Sequence, residues 1–190
     1  IENCLTRASV TAEAEASLRR LGLETIDLYQ IHWPNPVDEI EEAWEAIDVL
    51  RQHGKIRFAG VSNFSVAHMR RVGARHRIAS LQPPYSLLRR DAEAEILPYC
   101  QAEGVGVVVY SPLQKGLLSG KMTAQRAAQL PADDHRRGDP NFLAQRLALN
   151  LRAVAGFKAI AESRGRSVGE LAVAWTLRSR AVTAAIVGAR

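Results

Sequence analysis

Five apolar segments of the chain end in side chains that can transfer a proton or bind a ligand. These endings are His32-Trp33, Ser62-Asn63, Gln82, Tyr110-Ser111 and Gly188-Ala189-Arg190. A histidine held by a rigid element is a candidate proton donor near neutral pH, and a tryptophan beside it is a candidate wall for a substrate. In parallel α/β folds the carboxyl ends of the strands carry the chemistry, so the five endings predict a functional site.

Each of these residues also has a purely structural interpretation. His32 fits a histidine packed at a strand end and bonded to a backbone carbonyl. Ser62-Asn63 fits a helix cap, Gln82 a solvated turn residue, and Tyr110 an ordinary core residue. The pattern alone leaves these alternatives open.

The elements that must position these side chains alternate between strands and helices. Strands are predicted at 26–31, 55–63, 78–82, 105–110 and 183–187, from short apolar runs rich in Ile and Val. Helices are predicted at 11–21, from Asp38 with Glu41 as a capping box to Leu50, from Ser65, at 91–101, near 148–163, and after a capping box of Ser167 and Glu170. The almost continuous apolar run 105–110 predicts a strand buried on both faces, and 114–145 reads as a long polar loop. Trp44 and Trp175 lie at helical spacing and are predicted to be core residues.

Composition narrows the class of protein. The 190 residues are 47% hydrophobic and 24% charged, as in ordinary globular domains, and no apolar run reaches the length of a membrane helix. The net charge is +5, but the basic residues are scattered among acids, which argues against a nucleic-acid partner. Two cysteines, Cys4 and Cys100, give neither a disulfide framework nor zinc spacing, and we expect a cytoplasmic protein without a metal site.

A repeat of strand and helix with a functional group after each strand favours the mouth of a parallel (β/α)8 TIM barrel over the crevice of an open sheet. A closed barrel needs eight strands, however, and only five are predicted here. We therefore expect a single barrel domain over 1–190 that covers roughly units 4 to 8. It would be truncated at the N-terminus and just before the C-terminal end.

The motifs of this chain resemble those of the aldo-keto reductases, NADPH-dependent enzymes with a (β/α)8 barrel. The segments that carry the resemblance are Ser17 to Gly22, Asp27 to Pro34, Gly54 to Arg57 with Gly60 to Phe64, Gln82 with Tyr85-Ser86, Tyr110 to Leu113 with Gly116 to Lys121, and Gly188 to Arg190. Each segment is a weak signal alone. Six of them in order are a strong one.

The resemblance implies a cofactor site for NADPH. Ser62, Asn63 and Gln82 match residues that hydrogen-bond the nicotinamide carboxamide, and Tyr110 matches the aromatic side chain on which the nicotinamide ring stacks. The loop along the pyrophosphate is matched by Ser111, Pro112, Leu113 and Gly116, with Lys115 and Lys121 as sources of positive charge. Gly188 and Arg190 lie where the family contacts the adenosine end, and Arg190 would favour the 2′-phosphate of NADPH.

The resemblance also implies a catalytic role for His32, which matches the histidine of the family's tetrad and would orient and polarise the substrate carbonyl. Trp33 would line the substrate pocket. The tetrad's tyrosine, lysine and aspartate come from the first three barrel units, and no Asp-x4-Tyr pattern precedes His32 in this chain.

The resemblance therefore implies an oxidoreductase that reduces an aldehyde or ketone to an alcohol, with a small-molecule carbonyl substrate and neither nucleic acid nor membrane as a partner. That activity is expected of the intact parent. Two alternatives stay open, an inactive truncated remnant and a non-catalytic NADPH-binding regulatory subunit of the potassium-channel beta type.

Overall fold

The computed structural model describes residues 4–188, which divide into two compact units. Among the described residues, the first unit comprises 4–83 and 93–108, and the second comprises 84–92 and 109–188. The candidate residues His32, Ser62 and Gln82 therefore lie in the first unit, whereas Tyr110 lies in the second.

Within the described residues the strands are β1 (Ile26–Ile31), β2 (Ile56–Ser62), β3 (Ser80–Gln82), β4 (Gly106–Tyr110) and β5 (Val182–Ile186). The helices are α1 (Arg7–Leu21), α2 (Ile40–Gln52), α3 (Val66–Gly73), α4 (Ile96–Glu103), α5 (Ala124–Ala128), α6 (Ala144–Glu162) and α7 (Val168–Thr176). Short 3-10 turns lie at Val37–Glu39, Asp91–Glu93, Gln114–Ser119, His135–Gly138 and Pro140–Phe142.

The strands form one sheet in the order β1-β2-β3-β4-β5, which is the order of the chain. β1, β2, β3 and β4 pair in parallel, with Gln30 opposite Gly60, Gly60 opposite Ser80 and Ser80 opposite Gly106. Parallel neighbours in chain order require a crossover after each strand, and α2, α3 and α4 provide those crossovers in the first unit. The predicted α/β architecture of successive barrel units is confirmed.

The core of the first unit is built on α2. Ile40, Trp44, Ile47 and Leu50 repeat at helical spacing and are at most 2% exposed, and α2 packs against α1 and β2. Trp44 also donates a hydrogen bond from Nε1 to the backbone oxygen of His76, at 3.3 Å. The prediction that Trp44 is a core residue is confirmed.

Two apolar clusters form the core of the second unit. One contains Leu117, Met122, Leu130, Phe142 and Leu147. The other contains Leu118, Val154, Val168 and Ala172. Four members of the first cluster come from the segment 114–145, which therefore contributes buried apolar side chains to the core. Each fully buried aliphatic side chain stabilises a fold by about 1.5–3 kcal/mol. The prediction of a plain polar loop there is wrong.

The predicted starts of several helices are wrong. α4 begins at Ile96 and not at residue 91, because a 3-10 turn occupies Asp91–Glu93, and α6 begins at Ala144, before the predicted start near 148. α1 begins four residues before the predicted position because Thr6 is the cap, its hydroxyl accepting from the Ser9 amide. Asp38 and Glu41 form no capping box, since a 3-10 turn precedes α2 and its N-cap residue Glu39 makes no side-chain cap. The caps at Ser65 and Ser167 are confirmed.

Two burial predictions fail. β4 is not buried on both faces, since Val107 and Val109 are fully buried while Val108 and Tyr110 are only half-buried. Trp175 is not a core residue. It is half-buried, and the guanidinium groups of Arg90 and Arg178 lie 5.3 and 4.3 Å from the centre of its ring, within reach of a cation–π attraction. None of the helices between residues 4 and 188 is long and apolar enough to cross a membrane.

Candidate functional site

The end of β1 presents two rings to solvent. His32 follows the last residue of β1 and is exposed, and Trp33 is 52% exposed. Their ring centroids lie 5.9 Å apart. The imidazole of His32 makes no hydrogen bond to any residue between 4 and 188, so it is not the histidine bonded to a backbone carbonyl that the structural alternative describes. It is available to a ligand.

The end of β2 is tied to the end of β1 through Asn63. The Asn63 Nδ2 atom donates to the backbone oxygen of His32 at 3.0 Å and to the Ser62 hydroxyl at 3.1 Å. Asn63 has a φ of 60°, the left-handed region that asparagine tolerates better than most residues. α3 is capped by Ser65, so the alternative that Ser62-Asn63 is a helix cap is wrong.

The end of β3 is hydrogen-bonded to the end of β2. The Ser62 hydroxyl donates to the backbone oxygen of Gln82 at 2.9 Å, and the Asn63 amide donates to the same oxygen at 3.2 Å. The Gln82 side chain is half-buried, and its Nε2 donates to Gln30 Oε1 at 3.0 Å. The structure thus brings His32, Ser62, Asn63 and Gln82 together as a connected polar row. Such a row can hold a planar amide by hydrogen bonds.

In the second unit, Tyr110 ends β4 with its side chain half-buried, and its backbone oxygen accepts from the Tyr85 amide at 3.2 Å. The chain then enters a run of left-handed backbone. Ser111, Gln114, Lys115 and Gly116 have φ values of 56°, 46°, 53° and 95°. Non-glycine residues in this region cost about 1–3 kcal/mol each and cluster at ligand-binding loops.

Hydrogen bonds hold the loop that follows β4, which comprises residues 111–116 and is called the strained loop below. Gln114 and Ser86 are both buried, and the Ser86 hydroxyl donates to Gln114 Oε1 at 3.1 Å. Pro112 is buried, whereas Ser111 and Leu113 are half-buried. Leu113 accepts from the amides of Gly116 and Leu118 at 3.0 and 3.1 Å. These bonds hold the backbone of the loop in its left-handed conformation.

The two lysines assigned to this loop differ in their surroundings. Lys115 Nζ lies 2.6 Å from Asp139 Oδ2, whose side chain is only 10% exposed. Burial raises the pKa of Asp139, but hydrogen bonds from Lys115 and Asn141 outweigh it and hold this pKa below its usual value. Lys121 is exposed and forms no ion pair with any residue from 4 to 188. Lys121 therefore has the more available charge.

The two remaining predicted residues lie at the end of the chain. Gly188 is exposed and follows β5 by two residues. Arg190 lies outside the described residues, and its assignment stays a prediction.

Three residues that contact the predicted site residues were not predicted from the sequence. Gln30 and Ser80 join the hydrogen bonds at the strand ends, and Asp139 pairs with Lys115. Gln30 stands inside a motif segment, but only the strand register shows that it faces Gly60 and Ser80. Asp139 lies 24 positions from Lys115 in a segment without periodicity, so nothing in the sequence signalled the ion pair. Between residues 4 and 188 no group of three His, Cys, Asp or Glu side chains is arranged to hold a metal ion.

Comparisons with known proteins identify the family of this chain. A model of the aldo/keto reductase family matches residues 1–190. The chain is 42% identical to aldo-keto reductase YhdN of Bacillus subtilis (strain 168) over 185 residues, which are 97% of this chain and 55% of that protein. It is 34% identical to probable aldo-keto reductase 1 of Glycine max over 164 residues, which are 86% of this chain and 46% of that protein.

Solved structures give the same result. The glycerol dehydrogenase AKR11B4 from Gluconobacter oxydans superposes with a TM-score of 0.90 at 41% identity, over 97% of this chain and 56% of that one. The thermostable aldo-keto reductase Tm1743, solved with the inhibitor epalrestat, superposes with a TM-score of 0.73 at 30% identity, over 98% of this chain and 58% of that one. The chain spans about half the length of the relatives it matches. With the family model matching residues 1–190 and with relatives more than 40% identical over almost all of this chain, the chain belongs to the aldo-keto reductase family.

Proposed function

We propose that the complete protein is an NADPH-dependent oxidoreductase that reduces an aldehyde or ketone to an alcohol. Membership of the family supports oxidoreductase activity on carbonyl compounds. The observation that supports the finer proposal is the connected row of His32, Ser62, Asn63 and Gln82, in which the backbone oxygen of the exposed residue His32 is hydrogen-bonded to side chains of the kind that can bind an amide.

The residues present fit a nicotinamide. Its carboxamide offers an NH2 group as donor and an oxygen as acceptor, and Gln82 has an Oε1 atom that accepts no hydrogen bond from any residue between 4 and 188. Its second Nε2 hydrogen is also available, because the first is donated to Gln30. Tyr110 offers a half-buried aromatic face on which a nicotinamide ring can stack. We assign the carboxamide to Ser62, Asn63 and Gln82, and the ring to Tyr110.

The phosphates are assigned to the strained loop and to the end of the chain. Ser111, Pro112, Leu113 and Gly116 would lie along the pyrophosphate. Lys121 supplies charge there, whereas the charge of Lys115 is already compensated by Asp139. Gly188 and Arg190 are assigned to the adenosine end, with Arg190 selecting the 2′-phosphate.

The chemistry that bound NADPH would supply here is a hydride for the carbonyl carbon of the substrate. The contribution of this chain is to orient that carbonyl, with His32 donating a hydrogen bond to its oxygen and Trp33 forming one wall of the substrate pocket. The proton donor implied by the family resemblance, a tyrosine, has no counterpart in these 190 residues, so activity is proposed for the complete protein. Because one similar structure is that of a glycerol dehydrogenase, we would test small hydroxy-carbonyl compounds first.

The test is NADPH oxidation by the complete protein with a panel of aldehydes and ketones that includes glyceraldehyde and dihydroxyacetone. We expect His32→Ala to lower kcat/KM by about 10²- to 10⁴-fold while NADPH affinity stays unchanged. The matched control is His53→Ala, since His53 is exposed and lies just beyond α2. An unchanged rate in His32→Ala would overturn the role of His32.

The two alternatives predict different results for the unaltered protein. Tight NADPH binding without turnover on any carbonyl compound would favour a regulatory subunit. Failure to bind any nucleotide would favour an inactive remnant.

A further inference from the structure

Gln30 lies in a row of facing residues that crosses four strands. It pairs with Gly60 of β2, Gly60 pairs with Ser80 of β3, and Ser80 pairs with Gly106 of β4. Opposite residues in a parallel sheet project from the same face, so Gln30 and Ser80 stand on one face with a glycine between them. Gln30 is half-buried.

Gly60 lets the Gln30 side chain cross to Ser80. A Cβ atom on residue 60 would lie 2.3 Å from Ser80 Oγ, a distance at which the two atoms overlap, and 3.0 Å from Gln30 Cγ, which is a tight contact. With no side chain there, Gln30 Nε2 reaches Ser80 Oγ at 3.1 Å. Residue 60 is therefore glycine because the side chains of Ser80 and Gln30 leave no room for a Cβ atom. Its backbone φ does not require glycine.

The amide of Gln30 has one orientation. Its Nε2 also donates to the backbone oxygen of Val61 at 3.3 Å, and a carbonyl oxygen can only accept. The Gln30 nitrogen must therefore face Val61 and Ser80, which turns Oε1 in the opposite direction. There it accepts a hydrogen bond from Gln82 Nε2 at 3.0 Å.

This contact decides which atom Gln82 presents to a ligand. Because Gln82 must offer its nitrogen to Gln30, its Oε1 atom points elsewhere, and no residue between 4 and 188 donates to it. We propose that Gln30 is a positioning residue for the cofactor site, which fixes the Gln82 amide so that its oxygen accepts from the NH2 group of the nicotinamide carboxamide. This inference rests on the proposed function and adds a residue that would not touch the cofactor.

The test compares NADPH with two ligands that isolate the carboxamide, using the complete protein. One is the reduced analogue in which an acetyl group replaces the carboxamide, and the other is the adenosine bisphosphate half of NADP without nicotinamide. In Gln30→Met the side chain keeps its length but loses the acceptor. We expect its Kd for NADPH to rise about five- to tenfold, and its Kd for the two other ligands to stay unchanged.

A second variant separates positioning from stability. Gln30→Glu can still accept from Gln82, but it places an oxygen against the Val61 carbonyl, which destabilises the fold. We expect its Kd for NADPH to stay closer to that of the unaltered protein than the Kd of Gln30→Met does, although its unfolding midpoint in urea is the lower of the two. Gln101→Met, on the exposed surface of α4, is the matched control and should change neither quantity.

An equal loss of affinity for all three ligands would overturn the inference, because it would show a merely structural effect. An unchanged Kd for NADPH in Gln30→Met would also overturn it. So would a Kd for NADPH in Gln30→Glu that is as high as the Kd in Gln30→Met. If the unaltered protein binds neither NADPH nor the adenosine half, the proposed function itself fails, and the inference fails with it.

Discussion

Asn63 Nδ2 donates to the backbone oxygen of His32 at 3.0 Å, and this bond joins the ends of the first two strands. It fixes the chain at the point where the candidate catalytic imidazole leaves the sheet. Asn63 makes this bond with a backbone φ of 60°, in the left-handed region. A single residue thus combines an unusual backbone conformation with a contact to the candidate site.

Substitutions at Asn63 should separate these two contributions. Asn63→Gly keeps the backbone conformation and loses the side-chain bonds to His32 and Ser62, which lowers the free energy of unfolding by about 1–2 kcal/mol. Asn63→Ala adds the cost of a left-handed residue with a Cβ atom, about 1–2 kcal/mol more. Urea unfolding measures both. Equal stability of the two variants would contradict the strain at this position.

The ion pair between Lys115 and Asp139 should make stability depend on pH. The pKa of Asp139 is depressed in the folded protein, so its ion pair stabilises the fold fully above the ordinary aspartate pKa of about 3.9. That contribution is lost as the pH falls through the folded pKa. Asp139→Asn removes the charge but keeps the oxygen that accepts from the Asn141 amide.

We therefore expect Asp139→Asn to be less stable than the unaltered protein at neutral pH, with the difference shrinking as the medium becomes more acidic than the usual aspartate range. Thermal unfolding followed across the acid range measures this. A difference that stays constant as the pH falls would show that the ion pair does not stabilise the fold.

Lys121 and Lys115 should contribute unequally to cofactor binding. Lys121 has no partner in the described part of the chain, whereas Lys115 is paired with Asp139. We expect Lys121→Met to weaken NADPH binding and to reduce its dependence on salt concentration, and Lys115→Met to have the smaller effect on both. Fluorescence titrations at low and high salt provide the measurement. The reverse order would move the phosphate contact to Lys115.

The two cysteines should differ sharply in reactivity. Burial raises the pKa of the Cys100 thiol to about 11, whereas a hydrogen bond with Thr6 lowers the pKa of the exposed Cys4 thiol. In the native protein at about pH 8, iodoacetamide should label Cys4 and spare Cys100 until urea unfolds the chain. Peptide mapping by mass spectrometry distinguishes the two sites. Rapid labelling of native Cys100 would show that α4 opens readily.

The positions of the strands could be predicted because apolar runs such as 105–110 are short and are followed by polar residues. His32, Ser62 and Gln82 could be assigned to strand ends for the same reason. Contacts between strands could not be predicted, because the bond from Gln82 to Gln30 depends on a register that no local pattern records.

The loop after β4 was harder to predict for a different reason. Ser111, Gln114 and Lys115 adopt positive φ, yet none of these residue types favours that conformation. The loop holds it through tertiary contacts such as the bond between Ser86 and Gln114. The start of α1 was not predicted because Thr6 caps the helix, although other residues a few positions later could also serve as caps. The start of α2 was not predicted because a 3-10 turn at Val37–Glu39 replaces the capping box expected at Asp38 and Glu41.

We propose that the strand-end residues bind a nicotinamide cofactor, and the most direct test is the affinity of the complete protein for NADPH with Tyr110 changed. We predict saturable binding by the unaltered protein and by Tyr110→Phe, which keeps the aromatic face. In Tyr110→Ala the loss of ring stacking, worth about 0.5–1.5 kcal/mol, should raise the Kd several-fold. Unaltered affinity in Tyr110→Ala, or no binding by the unaltered protein, would contradict the account.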